Sequence, residues 1–219
     1  MGRIFDQNNP FFRIMGLVCD LIVLNLLTLV CSIPIVTAGA SFTAMHYVLW
    51  HMVRHEDTYV ARQFLDAFKA NFKQATVVWL GALVLIAFGV LDSFVLSEML
   101  DQGVARAMTI VLVVVGVLVA AVAQYYFVML SRYENTVGGH LANAARLAFA
   151  FFPRTLAMLI VIGAFGFVEL RYLLVGLPAL LLLGVALPQY CCAWLYDPIF
   201  RRLDGDYDEN GKLVKSTFL

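Results

Sequence analysis

Asp20 and Asn25 lie inside an otherwise apolar run from about 12 to 32, and Pro34, Thr37, Gly39, Ser41 and Thr43 follow where that run ends. An ionisable group at the centre of a bilayer costs on the order of 2.5 to 3.5 kcal/mol on the insertion scale. Asp20 therefore needs compensation, either as a holder of a proton or cation or through a neighbouring helix. Asn25 is five residues on and offset around the helix, so a partner for Asp20 is expected from another span. Pro34 removes a backbone donor, and Gly39 between Ala38 and Ala40 lets backbones approach closely. Unwound backbone at membrane depth is tolerated where it lines a cavity or is buried by protein. These seven residues form the candidate polar site for a substrate or partner; the alternative is an ordinary turn between two antiparallel spans.

Other chemistry-bearing residues are scattered. His51 and His55 stand four apart, a spacing that can present two imidazoles to a metal, but no Glu lies between them in zincin spacing, and Arg54 and Glu56 mark a water interface. His46 and His140 have no evident partners. Cys19, Cys31, Cys191 and Cys192 lie in or beside apolar runs, where free cysteine behaves as a small hydrophobe. The run Asp204-Gly205-Asp206-Tyr207-Asp208 lacks the sixth-position Gly and twelfth-position Glu of a calcium loop. There is no Gly-rich phosphate loop and no Ser/His/Asp arrangement. The expectation is a non-enzyme without cofactor or metal.

The elements that must position these residues belong in lipid. The 219 residues are 62% hydrophobic and 14% charged, against about 25% charged in a soluble domain, and mean hydropathy is +0.85. A separate soluble domain has no room, and neutral formal charge gives no field for nucleic acid. With about 20 apolar residues needed per crossing, the chain predicts an all-α polytopic membrane bundle of about six transmembrane helices, at about 12–32, 37–53, 75–95, 104–130, 155–170 and 173–194. The second is short and polar enough to be a tilted span or a re-entrant hairpin. Glu169, Arg171 and Tyr172 make the turn between the last two. Although Ala38-Gly39-Ala40 resembles a signal-peptide cleavage site, the run before it exceeds the length of such a segment, so it is expected to stay as a span.

Of the 15 Lys and Arg residues, all but Arg106 and Arg171 fall in segments that share one side if the N-terminus is cytoplasmic. Juxtamembrane positive charge sets orientation, so both termini are expected inside. Trp50, Trp79, Tyr125, Tyr126, Tyr133, Tyr190, Trp194 and Tyr196 cluster near the same boundary, where amphipathic rings prefer to sit. Two cytoplasmic loops result, at 54–74 and 131–153, and a polar tail at 197–219. In the first loop Val60, Phe64, Leu65, Phe68 and Phe72 recur at helical spacing opposite Arg62, Asp66 and Lys69, with Asp57 or Thr58 as cap. Such an amphipathic helix lies in the headgroup layer or docks a cytoplasmic partner. The second loop breaks at Gly138-Gly139 and resumes a helical pattern over 140–152. Asp66-Ala67, Lys69 and Phe72 lie over Asn143-Ala144, Arg146 and Phe149, as duplicated span-helix-span units would.

The N-terminal third resembles the YesL-like family of bacterial integral membrane proteins, a family of largely unknown function. The likeness rests on Asn9-Pro10-Phe11 with Arg13, Asp20, Leu24-Asn25-Leu26-Leu27, Ser32-Ile33-Pro34-Ile35-Val36-Thr37, Gly39-Ala40-Ser41 and Thr43-Ala44, then Phe68-Lys69-Ala70-Asn71-Phe72-Lys73-Gln74-Ala75-Thr76. Beyond Thr76 it is a matter of hydropathy and length. Such families are typically encoded beside ATP-binding-cassette (ABC) sugar importers. The resemblance thus implies a multi-pass protein of the bacterial cytoplasmic membrane, acting as an accessory or assembly subunit in ABC-type carbohydrate uptake. Its expected partners are the bilayer, importer permease subunits and further copies of the chain in a homo-oligomer, with any energy supplied by a partner. The alternative is an independent small-solute or ion transporter with its polar site near Asp20 and the break from Ser32 to Thr43. Cysteines introduced beside Arg62 and Arg146 should react only with reagents supplied from the cytoplasmic side; labelling from outside would overturn the topology.

Overall fold

The computed structural model describes residues 10–56, 59–99, 102–172, 178–207 and 213–214. Asp57 and Thr58, expected to cap the third helix, lie outside the described residues, as do Asp208, Glu209 and Gly211 of the tail. Among the described residues seven α-helices follow one another: α1 (Pro10–Ser32), α2 (Ala38–Val53), α3 (Val60–Met99), α4 (Gln102–Leu130), α5 (Val137–Ala150), α6 (Phe152–Arg171) and α7 (Ala186–Leu203). A 3-10 turn (Ile35–Thr37) precedes α2, a π-helical turn (Leu180–Gly184) leads into α7, and Asp206–Tyr207 pairs antiparallel with Leu213–Val214.

Among the described residues five segments are long and apolar enough to cross a membrane: Phe11–Ser32, Val60–Phe94, Gly103–Leu130, Phe152–Arg171 and Leu180–Leu203. The protein is thus a helical polytopic membrane protein. The sixth expected span, 37–53, corresponds to α2, whose 16 residues extend only about 24 Å at 1.5 Å per residue. All of α2 except Phe42, Tyr47 and His51 is buried, enclosed by α1, α3, α4 and α7. An apolar helix with small residues along it reads alike whether lipid or protein surrounds it, and here protein does.

Pro34 ends the first hairpin arm. The residue before a proline is pushed out of the helical region, and Pro34 itself is extended at φ −74° and ψ 107°. The chain then reverses through the 3-10 turn into α2.

Residues 60–74 of the expected loop and the expected span 75–95 belong to one continuous 40-residue helix, α3. The sequence changes from amphipathic to apolar near Gln74-Ala75-Thr76 with no Gly or Pro to interrupt the ladder, so composition changes while the helix runs on. Val60, Phe64, Ala67 and Ala75 are buried, whereas Leu65 and Phe72, expected on the same face, are exposed. That buried stripe packs on α2, so the face meets protein rather than the headgroup layer. Farther along, Val84, Leu85, Ile86, Phe88, Val90 and Leu91 are exposed all round the helix, as lipid-facing segments are.

The second expected loop, 131–153, is mostly α5. Gly138 and Gly139 do not break the chain but form the first turn of that helix, where the Thr136 side chain caps by accepting from the Gly139 N–H at 3.1 Å. Phe151 separates α5 from α6, which starts with Pro153 in its first turn. The two proposed repeat units therefore differ: the first is one unbroken helix, the second two. The tail expected from Asp197 is helical as far as Leu203.

Gly39 sets a close approach between α2 and α3. A Cβ at this position would fall 2.5 Å from Trp79 Cβ and 2.8 Å from the Ala75 carbonyl oxygen, and beside it Trp79 Nε1 donates to the Ile35 carbonyl at 2.7 Å. Gly39→Ala should therefore force α2 and α3 apart and lower the melting temperature in detergent by the equivalent of about 1–3 kcal/mol, the usual cost of overpacking. An unchanged melt would mean that the helices do not cross here.

Candidate functional site

The polar residues singled out at membrane depth are engaged by backbone. Asn25 is fully buried; its Nδ2 donates to the carbonyls of Leu180 (3.0 Å) and Leu181 (2.8 Å), and its Oδ1 accepts from the amides of Val185 and Ala186, both at 2.9 Å. A side-chain amide offers two donor hydrogens and two acceptor lone pairs, so these four contacts saturate it. The partners flank the π-helical turn, where the i→i−4 ladder is interrupted. Thr37 Oγ1 lies 2.6 Å from the Cys31 carbonyl and 2.8 Å from that of Pro34. Ser41 Oγ donates across to the Thr28 carbonyl of α1 at 2.9 Å, and Thr43 Oγ1 to Gly39 of its own helix at 2.9 Å. Asp20 is half-buried on α1, below Asn25 in the chain. Pro34 and Gly39 shape the turn and the α2–α3 crossing. Of the seven, Asn25 ties α1 to the π turn and Ser41 ties α2 to α1.

A second group of residues converges at one end of the bundle. It joins the end of α2, the α4–α5 connection and the end of α7, all assigned to one side by charge pattern. Arg54 Nε donates to Asp197 Oδ1 at 2.9 Å, and its Nη2 lies 3.4 Å from Asp204 Oδ2. Arg132 Nη2 meets the same Asp204 oxygen at 2.7 Å, and Arg201 Nε meets Asp197 Oδ2 at 2.5 Å. The guanidinium carbons of Arg54 and Arg132 stand 4.6 and 4.0 Å from the centre of the Trp50 ring, within cation–π range. Tyr133 donates its hydroxyl to Asp204. Burial, with the Asp204 carboxylate beside it, pushes the Tyr133 phenol pKa well up, so it remains a donor at physiological pH.

These groups border a cavity of about 250 Å³ lined by Tyr47, Trp50, His51, Arg54, Glu56, Ser131 and Arg132. None of the seven residues at membrane depth lines it. The helix α2 stops at Val53 and His55 adopts the left-handed region at φ 57°, one of the few non-Gly residues that does so readily. His51 and His55 therefore do not share a helical face; His51 pairs with Glu56 instead. Among the described residues no three potential metal ligands come together. The remaining histidines are core groups: His46 Nδ1 lies 3.3 Å from the Tyr196 hydroxyl, and His140 packs edge-on against Tyr126. Burial lowers the His140 pKa, with the Tyr133 backbone opposing the effect.

Sequence reasoning did not single out Trp50, Arg132, Asp197 and Asp204 as a unit. Asp197 and Arg201 are one turn apart and Asp197 and Asp204 two turns apart, a spacing that marks one face if α7 is taken past Asp197.

Residues 21–93 match the family model described as "Protein of unknown function, DUF624". The match spans most of α1, all of α2 and α3 as far as Ser93, and overlaps the segments that carry the YesL-like resemblance. No curated protein and no solved structure matches the chain.

Asn25→Ala should strand the carbonyls and amides around the π turn and destabilise the protein by about 1–3 kcal/mol, the cost of unpaired buried polar groups. The signature is a lower melting temperature together with faster hydrogen exchange at 180–186. Unaltered exchange there would remove Asn25 from this role.

Proposed function

We propose that the chain is a non-enzymatic accessory or assembly subunit of a bacterial ABC-type carbohydrate uptake system. It lies in the cytoplasmic membrane with both termini inside. The observation that carries the reading is the prelocked charged end, where Arg54, Arg132 and Arg201 are fixed by Asp197 and Asp204 around Trp50. The basic flanks orient that end to the cytoplasm, where an importer's energy-coupling parts reside. A surface fixed before contact loses little conformational freedom on docking. The YesL-like resemblance supplies the partner class, and it is association rather than mechanism.

The apolar sides of α3 and α4, including Val84, Phe88, Ile110 and Val114, are exposed and offer surfaces for lipid or for permease helices. The pathway reading through Asn25, Thr37, Ser41 and Thr43 has less support, because those groups already bond backbone.

Affinity capture of the full chain in mild detergent, from a cell expressing the importer, should recover permease components. Arg132→Glu, which reverses a charge at this end, should reduce recovery at least about fivefold, as reversal at a docking surface does. Repeated capture with no importer component would overturn the reading.

A further inference from the structure

We propose that the cavity between the end of α2 and the α4–α5 connection is a binding site for a phosphate group, carried by an anionic lipid headgroup or by a small soluble phosphate ester. The geometry does not depend on the importer reading, and the two fail separately: one is judged by partner recovery, the other by purified protein alone.

The charges make the first part of the case. Arg54, Arg132 and Arg201 are held by two carboxylates, Asp197 and Asp204, with each carboxylate shared by two arginines. Glu56 at the rim is engaged with His51. The Arg54 side chain is 17% and the Arg132 side chain 29% exposed, and charges so partly buried are screened less than those on the open surface.

Donor geometry makes the second. Each guanidinium carries five N–H donors in a planar fork. The carboxylates take Nη2 of Arg132 and Nε and Nη2 of Arg54. Both arginines line the cavity and both are fixed over the Trp50 ring. Two pre-positioned forks suit a tetrahedral oxyanion, the usual arginine ligand along with carboxylate.

The cavity's size and setting select the ligand. At about 250 Å³ it is below the roughly 300–1,000 Å³ of sites that enclose whole drug-sized ligands, so it takes a headgroup or a small ester. Its other lining residues include Tyr47 and Trp50, amphipathic rings of the kind that sit at the lipid–water boundary. Trp50 is 5% exposed, and its ring lies under both guanidiniums.

Two measurements on the purified full chain test this. In detergent, sodium phosphate and glycerol 3-phosphate are titrated against sodium chloride at matched ionic strength, with the melting temperature and tryptophan fluorescence followed. In parallel, native mass spectrometry counts phosphatidylglycerol and phosphatidylcholine retained from mixed bilayers. Stabilisation by the soluble phosphates identifies an ester as ligand; enrichment of phosphatidylglycerol identifies a lipid headgroup. In either case Arg132→Gln should weaken the effect at least about tenfold, as loss of a charge-assisted hydrogen bond does. Arg132→Lys should restore part of it, and Arg62→Gln, on the exposed face of α3, should leave it unchanged. If the wild-type chain shows neither a phosphate response beyond chloride nor lipid enrichment, the proposal is wrong, and that comparison stands even if Arg132→Gln fails to fold.

Discussion

In hydrocarbon a backbone amide or carbonyl has no water to turn to, so every interruption of a helical ladder must be repaired from within the protein. The π-helical turn at Leu180–Gly184 is such an interruption, and a single side chain, Asn25, repairs it on both sides. Because Asn25 belongs to α1, the repair also fixes the first helix against the last. The central helix α2 is then held within that frame, tied to α1 by Ser41 and to α7 by the His46–Tyr196 contact. Transmembrane hydrogen bonds average well under 1 kcal/mol apiece. The arrangement draws its strength from four of them acting on one buried amide and from the packing they position.

That frame explains why α2 is short. A helix enclosed by protein need only reach from the Pro34 turn to the charged end, whereas a helix facing lipid must match the bilayer. Close packing supplies what length does not: Gly39 admits Trp79 at the first turn of α2, and Ala40, Ala44 and Met45 are fully buried behind it. The neighbour that supplies Trp79, α3, continues beyond this crossing as an apolar helix whose most hydrophobic stretch has no buried residue. One helix thus serves as core wall over its first half and as lipid-facing span over its second.

Much of this was legible in the sequence, and the exceptions have physical causes. Hydropathy located α1, α4 and α6 closely because their outer faces meet lipid, the condition that a run of apolar residues reports. It reads α2 as a tilted span or a re-entrant hairpin, since burial in protein selects the same residue types as lipid does. The joint between the amphipathic and apolar halves of α3 was taken as an element boundary, yet no Gly or Pro near Ala75 breaks the backbone. Asn25 stands out in the sequence only as a polar residue at membrane depth, and nothing in the Leu-rich run 180–183 announces a π turn; the pairing exists only in three dimensions. The acidic residues after Asp197 read as a solvated tail, and their role emerges only once α7 is continued to Leu203, bringing Asp197 and Asp204 to Arg54 and Arg132.

The two polar centres are joined by α2. At one end it begins beside the Gly39–Trp79 crossing; at the other it finishes with Trp50 under two guanidiniums, and between them His46 meets Tyr196 of α7. A close-packed helix does not bend smoothly under a small displacement, since packed interiors are nearly incompressible. A group entering the cavity that moved Trp50 would have to shift α2 as a rod, disturbing Ser41 and the α1 contact, or else be accommodated by the arginines alone. Arg54 belongs to the connection immediately after α2 and Arg132 to the α4–α5 connection, and both are already held by Asp197 and Asp204, so a group entering the cavity meets donors in place while the helix remains fixed. The charged end is therefore the place where the molecule can respond to a ligand without disturbing the backbone repair at Asn25.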